Sequence, residues 1–173
     1  VKSKKILIDP IMRITALDVA FNFSNIKGVL ITSKNALDHL PVGLDGLGLP
    51  VYCVGSATTC LACERGLAAK NMGKTAEELR KSLAEILPKG PLVHVRGSFT
   101  TIDFGSYFLD TDLKIENLIA YQQTEQPLQL ETQNILQTVR GVVIPLFSTR
   151  SAQSLCKMKY SWSRHTAVAI SEN

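Results

Sequence analysis

No stretch of this 173-residue chain approaches the roughly 18 consecutive apolar residues of a membrane span, and no leader pattern opens it, so the expectation is a cytoplasmic protein. Basic residues form no stripe. Nineteen Lys and Arg against 15 Asp and Glu give a net charge of +4, scattered apart from Lys2, Lys4 and Lys5, which argues against a nucleic-acid duplex and for a small polyanion. The C-x-x-C at Cys60 and Cys63 has no second ligand pair at zinc-site spacing; Cys53 and Cys156 stand apart. Small, buried or half-buried thiols on one helix face are expected there, with no metal. His39, His94 and His165 have no Cys, Asp or Ser beside them in a nucleophile pattern and are assigned to structure. Gly43, Gly46 and Gly48 do not follow a strand as a dinucleotide fingerprint would. Low-complexity segments are also missing, while 45% hydrophobic residues are ample for a packed core.

What is present is a repeated junction. Val29-Leu30-Ile31-Thr32-Ser33-Lys34-Asn35-Ala36 and Val142-Val143-Ile144-Pro145-Leu146-Phe147-Ser148-Thr149-Arg150-Ser151-Ala152 each read as a buried strand, a serine turn and a helix start. Such a turn offers unpaired backbone N–H groups and the positive end of a helix dipole, hence a place for an anion.

Further along, Lys5–Asp9, Val51–Val54, Leu92–Val95, Ile115–Tyr121, Val142–Phe147 and Thr166–Ile170 read as strands. Helices are expected after Ser33, after Gly55, from a capping box at Thr75–Glu78 with Leu79, Leu83 and Ile86 on one face, over Phe104–Leu109, and over Leu128–Leu136. Pro41–Pro50 and Arg96-Gly97 read as a loop and a turn, and Ser171-Glu172-Asn173 as the opening of a helix. Alternating strands and helices mean α/β architecture with parallel sheets. The polar segments 10–18 and 119–127 bracket the block 19–118. The rest, 1–9 plus 128–173, would form a discontinuous second lobe.

These motifs together resemble the uroporphyrinogen-III synthase family. The resemblance rests on Thr32-Ser33-Lys34-Asn35-Ala36, on Val54-Gly55-Ser56-Ala57-Thr58, on Val95-Arg96-Gly97, on Ala120-Tyr121-Gln122-Gln123-Thr124, and on Phe147-Ser148 with Ser151-Ala152. It implies two flavodoxin-like lobes joined by a two-stranded connector, with the active site in the cleft. Known members carry further segments before the position of Lys5 and after that of Asn173, so terminal segments are expected to be missing. The implied reaction is a lyase step in heme biosynthesis. Hydroxymethylbilane, a linear tetrapyrrole with eight carboxylates, loses water and closes with its last pyrrole ring inverted through a spiro intermediate. No cofactor is implied, and the protein is expected to be a monomer.

Because the bilane cyclises unaided to the wrong isomer, the task is to hold one near-attack geometry, which calls for distributed donors rather than a triad. Ser33, Lys34, Asn35, Gly55, Ser56, Thr58, Arg96, Ser148 and Arg150 are the candidate substrate-binding residues. Tyr121, where an apolar strand gives way to a polar connector, is the candidate proton donor to the leaving hydroxyl, expected beside the cleft rather than deep in a core. Two other readings compete. One is a non-catalytic two-lobed protein binding a small anion. The other is a flavodoxin-like cofactor binder, which should show a phosphate loop after its first strand, whereas Asp9-Pro10 follows the first strand read here.

Overall fold

The computed structural model describes residues 5–100 and 102–169, so the expected helix at 171–173 and the last residue of the strand expected to reach Ile170 lie outside the described residues. The chain divides into two compact units, Ile14–Gln123 and Val1–Arg13 with Thr124–Asn173.

The larger unit is built on a mainly parallel sheet. Its strands are β1 (Met12–Ala16), β2 (Gly28–Ile31), β3 (Pro50–Cys53), β4 (Ala68–Asn71), β5 (Leu92–Gly97) and β6 (Ile115–Glu125), in the order β1-β6-β5-β2-β3-β4. β2 is parallel to both β3 and β5, with Leu30 opposite Tyr52 on one side and His94 on the other. β2 is buried along its whole length, as a strand covered on both faces must be. Alternation sorts the side chains onto two faces. Val29, Ile31, Val51, Cys53, Val93 and Val95 pack with Ala36 and Leu37 of α1 (Lys34–Asp38) and Ala62 of α2 (Ser56–Glu64). Leu30, Tyr52 and Leu92 pack with Leu79 and Leu83 of α3 (Ala76–Ile86) and Phe104 of α4 (Phe104–Tyr107).

Counted from β2, five strands run 3-2-1-4-5, the order of the first five strands of the doubly wound 3-2-1-4-5-6 sheet and not flavodoxin's 2-1-3-4-5. The difference comes from β4, a strand the sequence reading did not include. Ala-Ala-Lys-Asn has neither alternation nor β-branched residues, and it forms by pairing along β3 at the sheet edge.

The smaller unit holds α5 (Leu130–Thr138), β7 (Val143–Leu146), α6 (Thr149–Cys156) and β8 (Thr166–Ala169). β7 and β8 form a two-stranded parallel sheet, Val143 opposite Thr166 and Leu146 opposite Ala169. Its buried hydrophobic residues, among those described, are Leu128, Leu136 and Leu155.

Several local expectations are corrected. Residues 5–9 form no strand: Ile6 and Ile8 are more than 80% exposed, no strand pairs with them among the described residues, and Asp9 instead accepts a hydrogen bond from the Gln129 N–H at 2.8 Å. Arg96-Gly97 is not a turn but the end of β5, and β6 runs unbroken from 115 to 125, past the strand end expected at Tyr121. The Thr75 hydroxyl caps the Glu78 N–H as expected, but the Glu78 carboxylate bonds the Lys74 N–H, so the reciprocal arm of the box is displaced by one residue. Ile86 is half-exposed because the last turn of α3 passes beyond the core. Cys60 and Cys63 are exposed, not buried or half-buried, since α2 turns Thr58 and Ala62 inward instead.

Candidate functional site

A parallel sheet concentrates its ligand chemistry outside the carboxyl ends of its strands, where the strand order reverses. In the larger unit that point lies between β2 and β5: the chain leaves β2 for β3 and β4 on one side, then returns to β5 and β6 on the other. The turns that follow β2 and β3, together with the last residues of β5, hold seven of the candidates: Ser33, Lys34, Asn35, Gly55, Ser56, Thr58 and Arg96.

After β2, Ser33 is the N-cap of α1 and its Oγ accepts the Asn35 N–H at 3.2 Å. The Asn35 carbonyl accepts from His39 Nδ1 at 2.8 Å, closing this single short helix, and Lys34 is exposed at its start. After β3, Gly55 caps α2 with φ +79°, a left-handed conformation that favours glycine. Its N–H bonds the Gly73 carbonyl at 2.7 Å. No side chain caps this helix, Ser56 is exposed, and Thr58 is buried.

Arg96 sits within a strand. Its Nε donates to Asn117 Oδ1 and its Nη1 to the Gly97 carbonyl, both at 3.0 Å, so the guanidinium is tethered along β5 and β6. The Ser98 N–H bonds the Tyr121 carbonyl at 2.9 Å, which leaves that amide to the sheet rather than to an anion. Asn117 also donates to Asp103 Oδ1 at 3.4 Å, and its hydrogen bond, first among the causes, holds the Asp103 carboxyl below its usual range.

Tyr121 is placed differently from the sequence reading. It is 4% exposed and belongs to the core on the α1 side. The cause is a break in register: Arg96 faces Ile119 but Gly97 faces Tyr121, so β6 carries an extra residue and both Ala120 and Tyr121 turn inward. The ring lies 5.2 Å from that of His39, centroid to centroid. On another side it meets Gly97, where a Cβ would come within 2.6 Å of Tyr121 Cε2. Gly97 is thus required by close approach of an aromatic ring, and the sequence signal available was a glycine at the end of a strand. A cavity of about 520 Å³ opens nearby, with His39, Leu118 and Ala120 in its wall beside residues 16–21 and Phe23.

Ser148 and Arg150 belong to the smaller unit. Ser148 caps α6, accepting the Ser151 N–H at 3.1 Å and donating to Ser151 Oγ at 2.8 Å; Arg150 lies in the first turn. Behind that helix the buried Ser154 hydroxyl donates to Glu125 at 2.7 Å, and Lys157 pairs with the same carboxylate at 3.3 Å. These two contacts, the hydroxyl's first, hold Glu125 below the usual carboxylate range. Nothing in the sequence pairs these residues, which lie 29 and 32 positions apart.

Among the described residues, no group of three or more His, Cys, Asp or Glu side chains could hold a metal ion. No helix among them is long and apolar enough to cross a membrane.

A family model described as Uroporphyrinogen-III synthase HemD matches residues 4–173. The chain belongs to the uroporphyrinogen-III synthase family. It is thereby placed among the enzymes of tetrapyrrole and heme biosynthesis. No curated protein matches it. Among solved structures, the uroporphyrinogen-III synthetase of Helicobacter pylori 26695 is similar, at 16% identity with a TM-score of 0.72, over 93% of this chain and 76% of that one. At that identity the likeness speaks for the fold, a mixed α/β fold with a mainly parallel sheet.

Proposed function

We propose that the protein is a cofactor-free lyase that converts hydroxymethylbilane to uroporphyrinogen III and water. The observation that carries this reading is the family match across residues 4–173. The clustering of Ser33, Gly55, Ser56 and Arg96 at the carboxyl edge of one parallel sheet supports it. That edge presents N–H groups, hydroxyls and cationic side chains to a ligand rich in carboxylates. In the proposed reaction the bond between the terminal methylene and its hydroxyl breaks, and the hydroxyl leaves as water after taking a proton. The resulting electron-poor methylene is attacked by the substituted carbon of the last ring. The spiro intermediate then opens at the bond between that carbon and its original methylene bridge, and the freed bridge methylene is attacked by the unsubstituted carbon of the last ring. That carbon gives up its proton, so that the ring ends inverted and the proton spent on the departing hydroxyl is recovered. Tyr121 is the proposed donor of the proton taken by the departing hydroxyl, a contribution of about 10²-fold or less for so weak an acid.

The proposal includes the two-lobed organisation with a connector at 10–18 and 119–127, a ligand held also by Ser148 and Arg150, a monomer, and a cytoplasmic location. Its test is incubation with enzymatically generated hydroxymethylbilane and separation of the type I and type III products. Type III is expected to dominate. Type I in the proportion formed without enzyme would overturn the reading.

A further inference from the structure

Among the described residues, one polar side chain is fully buried inside a strand of the sheet: His94 of β5, with 0% exposure. Its ring stands edge-on to Phe104 at 5.0 Å, and its neighbours Leu92 and Leu30 are equally buried. An apolar residue would fill this site without the desolvation cost of an imidazole, and the Nδ1 atom has no partner in good hydrogen-bonding geometry. The other nitrogen, Nε2, lies 3.2 Å from Thr32 Oγ1. Thr32 is the residue between the end of β2 and the Ser33 turn, and the contact joins β5 to β2, the two strands that flank the reversal of strand order.

We infer that His94 is a positioning residue for substrate binding: through Thr32 it fixes the exit of β2, and with it the backbone donors of the 33–35 turn, relative to the end of β5. This rests on the proposed reading of that turn as a carboxylate site. The charged groups around the imidazole suit the role. Burial, the first cause, and Arg96, the second, press its pKa down to about 4, while the Asn117 side chain and the Asp103 carboxylate act in the opposite direction. At neutral pH the group is therefore an uncharged hydrogen-bonding link.

A purely structural role would move stability and leave substrate affinity alone; a positioning role moves KM. Thr32→Val removes the contact from the half-buried side of the pair with little change in volume, and His94→Leu removes it from the fully buried side. Each is expected to raise KM for hydroxymethylbilane about three- to tenfold, the equivalent of one hydrogen bond, with kcat within twofold. The double variant should be no worse than either single one, because both delete one link. Thr32→Ser, which restores the hydroxyl, should return KM to the wild-type value. A wild-type KM in Thr32→Val, or a double variant whose KM effects simply add, would overturn the inference even if His94→Leu folds poorly. Failure of the wild-type protein to form type III product would instead overturn the functional reading beneath it, so the two failures are distinct.

Discussion

The two units use the same junction, strand then capping serine then helix, on very different foundations. Ser33 follows a strand with every residue buried, in a six-stranded sheet with a core on each face. Ser148 follows β7, in which Val143 is 63% exposed, in a sheet of two strands whose second, β8, is exposed throughout. The comparison separates two things that a sequence motif runs together. The local cap depends on a hydroxyl and a nearby N–H and forms in both places. The rigidity with which the cap is held depends on the buried area behind it, which differs between the units.

The largest effect that would sharpen this contrast is on stability. Leu79→Ala, in the core of the larger unit, should cost about 2–5 kcal/mol, as full burial and close packing dictate. Val143→Ala in β7 should stay within about 0.5 kcal/mol. Urea unfolding of both variants measures the difference. Equal losses would mean that β7 is supported as firmly as β2.

Acid should act selectively on the larger unit through His94. Its folded pKa, about 4, lies below the ordinary 6.5. As pH falls through 6.5 the unfolded chain takes up a proton that the folded chain refuses until about 4. Stability from this group is thus complete above 6.5, lost progressively between 6.5 and 4, and flat below. The loss amounts to roughly 3 kcal/mol across the window. Denaturation from pH 7.5 to 4 should show a shallower slope in His94→Leu than in wild type. Parallel slopes would remove the buried imidazole as the cause.

The next effect concerns Tyr121. If it donates the proton, Tyr121→Phe should slow type III formation by about 10- to 100-fold with an unchanged melting temperature. The structure sharpens the alternative, because the ring is packed between His39 and Gly97. A matching loss of melting temperature and activity would assign it to packing, and full activity would remove it as the donor.

Tyr121 also shows where the sequence stopped being informative. The buried parallel strands β2, β3 and β5 were legible because continuous apolar runs between turn residues have few other uses. The serine caps were legible because their bonds span two or three residues. The inward turn of Tyr121 was not, since it depends on an extra residue in β6 that is defined only against β5. For the same reason the tethering of Arg96 by Asn117, 21 residues away, and the link from His94 to Thr32, 62 residues away, could not be read from spacing. Strand β4 escaped because its pairing along β3, not its composition, makes it a strand.

The smallest effect is also the most direct test of the opening contrast. Ser33 makes one capping bond, at 3.2 Å, on a five-residue helix whose Ala36 and Leu37 are anchored in the core. Ser148 makes two contacts with Ser151, at 3.1 and 2.8 Å, on an eight-residue helix that follows a half-exposed strand. Where packing already fixes the turn, deleting the cap should matter little; where it does not, the cap carries more of the helix start. Ser148→Ala is therefore expected to cost about 1 kcal/mol, and Ser33→Ala about half of that. Both should reduce type III formation less than Tyr121→Phe does, because backbone N–H donors survive at each turn. Thermal melts beside product assays decide the matter. A larger loss of stability in Ser33→Ala would show that the cap, and not the core behind it, holds the β2 turn in place.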